Sequence, residues 1–317
     1  MNMKLSLVIG LIGLACIRNT SRATNQALPG CRDRCGNVTV PYPFGNCNNC
    51  FSEEKFNVAC HESTGTPIPY LGTENLPITD ISLRHGELQV LQTLAADCYE
   101  QTGVRTNTSI APRIQLRHSK FTVSATKNKF TAVGCDTHAV LIGYRSCGKR
   151  FQTGRVSRCD RAEDVDFGPS CSGAGCCQLA PIPSGIQNFT IEKKCYANHT
   201  NVWSFNPCSY AVPLAEETTR LNLTNKGLQH FGVKQDLPLV LDWGIGNLSC
   251  AEARTTTNFA CKANSECASP DAGSVGYLCR CLPGFEGNPY HPEDCHGIAT
   301  LIHLFDTLSQ YSGIAYV

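Results

Sequence analysis

Cysteine constrains this chain more than any other feature: there are 21 in 317 residues. Such a density means that covalent cross-links carry part of the stability and that the chain folds where thiols oxidise. Most of the cysteines fall in short, ordered spacings. The sharpest run is Cys250, Cys261, Cys267, Cys279, Cys281 and Cys295, with 10, 5, 11, 1 and 13 residues between successive members. A run of that length is too short to bury a sizeable core, so three disulfides would supply much of its stability.

The N-terminus agrees with an oxidising compartment. Lys4 supplies positive charge, Leu5 to Cys16 is a short apolar run, and Ser21-Arg22-Ala23 is a small-x-small cleavage site. Together they predict a signal peptide over residues 1–23. The apolar run is shorter than the roughly 20 residues a bilayer span needs. Cleavage removes Cys16 and leaves 20 cysteines, an even number that fits ten disulfides with the connectivity open. Asn37, Asn107, Asn188, Asn198, Asn222 and Asn247 each open an N-x-S/T sequon. Six sequons predict exposed, glycan-carrying loops along a secreted, extracellular glycoprotein.

The net charge of +1 implies no global field, but the distribution is uneven. Arg105, Arg113, Arg117, Lys120, Lys127, Lys129, Arg145, Lys149, Arg150, Arg155, Arg158 and Arg161 are opposed only by Asp136 and Asp160, so residues 105–161 carry +10. Such a stretch points to an acidic extracellular partner, or to a loop-rich face balanced by acids from elsewhere in the fold.

No strong helical periodicity runs through residues 30–250. Val38-Thr39-Val40 reads as a short strand. Ile81–Leu83 and Glu87–Leu91 read as a hairpin turning at Arg84-His85-Gly86. Phe121–Ser124 and Lys129–Val133 flank another polar turn, Ala139–Tyr144 reads as a buried strand, and Leu237–Trp243 as a strand ending. Leu214–Leu223 reads as a short helix. Ile298, Leu301, Ile302, Phe305 and Leu308 recur at helical spacing, giving one short amphipathic helix at most. His303, Asp306, Ser309 and Gln310 interrupt it, so no membrane span is expected there. The expected fold class is mainly β and disulfide-rich.

Catalysis finds little footing. His61-Glu62 begins like a zinc-protease signature, but Gly65 stands where the second histidine belongs. Gly173-Ala174-Gly175 lacks the glycine or lysine that phosphate binding needs. Adjacent Cys176 and Cys177 would close a strained ring, so each is expected to pair elsewhere. No catalytic residue, metal ligand, cofactor or nucleic-acid partner is expected, and the chain is read as a non-enzyme.

Two resemblances organise the rest. Cys250 to Cys295, with Cys279-x-Cys281 and Gly284-Phe285-Glu286-Gly287, resembles an epidermal-growth-factor-like domain. That resemblance implies the bridges Cys250–Cys267, Cys261–Cys279 and Cys281–Cys295. Calcium-binding versions carry acids before the first cysteine; here Gly246-Asn247-Leu248-Ser249 offers no carboxylate, so no calcium is expected. Cys31-Arg32-Asp33-Arg34-Cys35-Gly36-Asn37-Val38-Thr39-Val40-Pro41-Tyr42-Pro43-Phe44-Gly45, followed by Phe56-Asn57-Val58-Ala59-Cys60, resembles the galacturonan-binding domain of plant wall-associated receptor kinases. Val133–Thr137, Cys171–Gln178 and Asn288-Pro289-Tyr290 are similar to the rest of that ectodomain. Cys47-Asn48-Asn49-Cys50 holds one cysteine more than the family pattern and leaves the local pairing open.

The resemblance divides the chain into residues 31–100, galacturonan-binding-like; 101–249, a cysteine-rich β region; 250–296, growth-factor-like; and 297–317, a divergent tail. It implies polysaccharide (pectin or oligogalacturonide) binding in the plant cell wall or apoplast. Family members are anchored at the plasma membrane. The kinase's Gly-rich loop, catalytic lysine strand and His-Arg-Asp loop are missing from this sequence, so phosphoryl transfer is not carried over. A polyuronate site needs cations for carboxylates and an aromatic face for sugar rings. Arg32, Arg34, Tyr42 and Lys55 are the candidates, while Phe44 and Phe56 read first as core residues. The alternative is a module that binds extracellular proteins, or a truncated fragment of a membrane receptor kinase.

Overall fold

The computed structural model describes residues 26–298 apart from 63–64, 73–74, 108–109, 117–118, 167–170, 172, 217–235, 271–272 and 294. The expected signal peptide, Arg117, the Asn222 sequon and the amphipathic stretch beyond Ile298 lie outside the described residues. No helix among those described is long and apolar enough to cross a membrane.

The protein is mainly β and disulfide-rich. Its strands are β1 (Arg34–Cys35), β2 (Val38–Thr39), β3 (Val58–His61), β4 (Ile68–Leu71), β5 (Leu76–Ser82), β6 (Glu87–Thr93), β7 (Ala95–Cys98), β8 (Arg113–Gln115), β9 (Phe121–Val123) and β10 (Asn128–Val133). They continue with β11 (Asp136–Arg145), β12 (Arg150–Arg158), β13 (Cys176–Leu179), β14 (Ile186–Lys194), β15 (Cys208–Ala215), β16 (Asp236–Trp243), β17 (Ser265–Ala268), β18 (Leu278–Cys281), β19 (Phe285–Gly287) and β20 (Cys295–Gly297). One short helix, α1 (Cys250–Ala253), begins at a capping box in which Ser249 and Glu252 satisfy each other's backbone N–H groups.

A long antiparallel sheet runs β12-β11-β14-β9-β16-β6-β5-β4-β3, with β8 added on β14. A second sheet runs β13-β10-β15-β7. The β5–β6 hairpin forms where the sequence placed it, with Ser82 opposite Glu87 and Gly86 closing the turn at φ +69°. On β11, Gly143 lies so close to β14 that an added Cβ would sit 2.0 Å from the Asn188 carbonyl oxygen. The β9 and β10 segments do flank a turn, but they do not pair with each other. β9 joins β16 and β14, whereas β10 joins β13 and β15 in the other sheet. The long sheet joins residues on both sides of position 100: β6 pairs with β16 in the register Thr93↔Asp236 to Glu87↔Asp242.

The core of the long sheet is aromatic. Trp243 packs edge-on against Phe44 at 5.2 Å and Phe56 at 5.6 Å between ring centroids, and Tyr290 closes from the C-terminal module at 5.9 Å. All four rings are fully or almost fully buried. Asn288 donates its side-chain N–H groups to the Gln26 and Tyr42 carbonyls, and the Tyr290 hydroxyl accepts the Cys279 N–H at 2.8 Å. The Asn288-Pro289-Tyr290 motif is therefore a clasp that fixes the C-terminal module onto the N-terminal region. A second, smaller core holds Cys98, Cys208, Val133 and Tyr210. Beside it, buried Asp97 takes Arg105 and the Tyr99 hydroxyl.

Several expectations are corrected. Leu214 and Ala215 belong to β15, not to a helix: every residue of that strand is buried and Leu214 lies opposite Lys129, so the ladder overrides local propensity. Residues 217–223 lie outside the described part. Asn188 is not in an exposed loop; it is 6% exposed on β14, and its side-chain oxygen accepts the Tyr144 N–H. Asn37, Asn107, Asn198 and Asn247 are exposed.

Ten disulfides are not formed among the described residues. The structure joins Cys35–Cys60, Cys98–Cys208, Cys135–Cys159, Cys171–Cys176, Cys250–Cys267, Cys261–Cys279 and Cys281–Cys295. Cys147, Cys177 and Cys195 are thiols, so Cys176 finds a partner and Cys177 does not. Cys50 sits against both Cys31 and Cys47, and one sulfur cannot bond both. The two choices differ in the stability they would lend the fold. Cys31–Cys50 closes 19 residues of chain against 3 for Cys47–Cys50, so the longer bridge would restrict the unfolded chain more and stabilise the fold by about 1.6 kcal/mol more. Alkylation and peptide mapping of the native protein should recover Cys31–Cys50 with Cys47 labelled. Cys47→Ser should leave the melting temperature unchanged, and recovery of Cys47–Cys50 instead would reverse the assignment.

Candidate glycan-binding surface

Arg32 and Arg34 sit two residues apart on the exposed N-terminal hairpin made by β1 and β2, pinned to β3 by Cys35–Cys60. Arg32 pairs with Glu62 at 3.1 Å, both side chains being about seven-tenths exposed. Arg34 donates to the Asn37 carbonyl at 3.0 Å and has no acidic partner among the described residues. Lys55 lies exposed in a 3-10 turn, Glu54–Phe56, and is also without an ion pair among the described residues. Phe56, next to it, points inward. Neither Phe44 nor Phe56 can meet a ligand, because both are fully buried.

Tyr42 is placed elsewhere. It is half-buried, and burial raises its phenol above the ordinary tyrosine range. Its ring lines a cleft of about 870 Å³ between the N-terminal region and the C-terminal module. Tyr42, Pro43, Ser52 and Glu53 form one wall, while Thr257, Asn258, Phe259 and Tyr277 contribute to the other. Sequence reasoning groups Tyr42 with the arginines. No hydrogen bond or ion pair joins Tyr42, Arg32, Arg34 and Lys55 to one another among the described residues.

The basic stretch 105–161 does not form one cationic face. Arg105 is held by Asp97, Lys127 by Glu87 at 3.2 Å, Lys129 by Glu216 at 2.8 Å, Arg158 by Asp160 at 3.6 Å and Arg161 by Asp164 at 3.5 Å. Lys120 is nearly buried. It donates to the Gly246 carbonyl at 3.0 Å and to Asn247 Oδ1 at 2.8 Å, and it lies 3.7 Å from Glu53. Most of these acids come from outside the stretch, so the fold neutralises charges the sequence left unopposed. Arg145, Lys149 and Arg150 remain together at the β11–β12 turn with no ion pair among the described residues, beside exposed Cys147. The Cys31, Cys47 and Cys50 sulfurs lie within 4.8 Å of one another. With one disulfide closed they offer a single thiol, which is too few ligands for a structural zinc.

A disulfide-stapled protein of antiparallel sheets with an exposed cationic hairpin is thus the class that fold and surface define. Residues 31–92 match the wall-associated receptor kinase galacturonan-binding family. The chain is 35% identical to wall-associated receptor kinase 2 of Arabidopsis thaliana over 98% of its length, covering 40% of that protein. It is 30% identical to wall-associated receptor kinase 1 and 31% to wall-associated receptor kinase 3 of the same plant, over 93% and 87% of the chain and 38% and 37% of theirs. The chain therefore spans about two fifths of the length of these relatives. It carries a galacturonan-binding domain and is homologous over most of its length to the ectodomain region of wall-associated receptor kinases. No solved structure matches it.

Proposed function

We propose that the chain is a non-catalytic pectin-binding ectodomain that works outside the plant cell, at the wall. The carrying observation is that the galacturonan-binding match at residues 31–92 contains the exposed cations Arg32, Arg34 and Lys55. An exposed ion pair contributes only about 0–1 kcal/mol, so Arg32 can exchange Glu62 for a uronate carboxylate at little cost. Arg34 keeps most of its planar donor fork for a second carboxylate on the same chain. The signal peptide and the exposed sequons Asn37, Asn107, Asn198 and Asn247 support a secreted glycoprotein. The three bridges between Cys250 and Cys295 support reading residues 250–296 as an epidermal-growth-factor-like domain.

Retention on immobilised polygalacturonate tests this. The wild-type protein should bind at low salt and elute as salt rises, because screening weakens exposed charge contacts. The triple substitution Arg32→Gln, Arg34→Gln and Lys55→Gln should weaken retention at least tenfold without lowering the melting temperature, since all three side chains are exposed. Salt-independent retention, or an unaffected triple variant, would remove the mechanism. A competing role as a protein-binding module has to be probed on the whole chain, because β16 and Tyr290 tie the C-terminal module into the main core.

A further inference from the structure

The cleft between the N-terminal region and the C-terminal module has only two charged residues in its lining, Glu53 and Lys262. Glu53 accepts the Gly246 N–H at 3.3 Å and lies against Lys120, and Lys120 in turn is occupied by the Gly246 and Asn247 oxygens. These groups hold the joint and neutralise one another; exposed Lys262 is the one cation among the lining residues. What remains is aromatic and neutral-polar. The Tyr42 ring forms one wall. Phe259, stacked on Tyr277 at 5.5 Å between centroids, forms the other. Ser52, Thr257 and Asn258 add exposed hydroxyl and amide groups. The Tyr42 hydroxyl has no hydrogen-bond partner among the described residues, and Tyr42 is part of the lining. The volume of about 870 Å³ falls within the usual range of small-molecule sites, about 300–1,000 Å³.

We infer that this cleft is a second saccharide site, which takes an uncharged pyranoside segment, such as a methyl-esterified stretch of galacturonan. A pyranose offers an apolar C–H face to each aromatic wall and equatorial hydroxyls to the amide and hydroxyl groups between them. An ionised uronate would be desolvated there with only the exposed Lys262 to meet it, and that is costly. The cleft is separate from the Arg32–Arg34 hairpin, and it rests on the pectin reading only for the choice of polymer. It assigns the two surfaces to two chemistries of one polymer: cations for acid segments and the joint for neutral ones.

The probe is fully methyl-esterified trigalacturonide, measured by saturation-transfer NMR and calorimetry at high salt. The protein carries N-glycans trimmed to one sugar, because Asn247 opens a sequon at the mouth of the cleft. The wild type should bind with an affinity that does not change with salt. Thr257→Trp, at an exposed wall position, should fill the cleft and weaken this binding at least tenfold. The same variant should retain wild-type elution from unesterified polygalacturonate. No binding of the esterified probe, or equal affinity in Thr257→Trp, overturns the inference. Failure on the unesterified polymer alone would instead count against the cationic hairpin.

Discussion

Removing the Cys98–Cys208 bridge by the double substitution Cys98→Ala and Cys208→Ala is expected to cost about 4–5 kcal/mol, from the loop-entropy relation for a closed loop of roughly 100 residues. The two cysteines are 110 residues apart in sequence and face each other across β7 and β15. They cross-link the outer strand of the second sheet and restrict a large part of the unfolded chain. Deleting Cys171–Cys176, whose separation is 5, should cost only about 2 kcal/mol by the same relation. Urea midpoints at constant slope measure both. Equal losses would show that loop closure is not what these bridges contribute.

Trp243→Ala is expected to cost about 3–5 kcal/mol, the range for emptying a large aromatic site in a packed core. The loss should exceed that of other single core truncations, because Trp243 touches Phe44 and Phe56 from the N-terminal region and Tyr290 from the C-terminal module. Its indole N–H has no hydrogen-bond partner among the described residues. Trp243→Phe should therefore cost less than half as much, since it keeps most ring contacts and removes an unpaired buried donor. Binding of the esterified probe should fall with the alanine variant, as the cleft lies at the joint this ring holds. A Trp243→Ala protein as stable as the wild type would mean the two regions are not coupled through this core.

The cationic hairpin was legible in the sequence because its cue is local: Arg32 and Arg34 flank a cysteine framework whose spacing marks the domain. The core role of Phe44 and Phe56 was legible too, since apolar rings beside cystines have few other uses. The cleft was not. Tyr42 signalled an aromatic contact, but its partners Phe259 and Tyr277 come from more than 200 residues further on, and no motif advertises them. The basic stretch misled for the same reason. Asp97, Glu53, Glu87 and Glu216 reach it only after the sheet has formed.

By itself the sequence determined the class of molecule: a strand-rich, disulfide-rich chain with a hairpin at residues 81–91, because spacing, alternation and turn residues act over short distances. The tertiary structure alone decided that Asn188 is buried, that Cys147, Cys177 and Cys195 are left as thiols, and that β6 pairs with β16. It also decided which cations stay free. Each of these depends on which distant segments meet, and strand pairing across 150 residues of chain is fixed by packing rather than by any local preference.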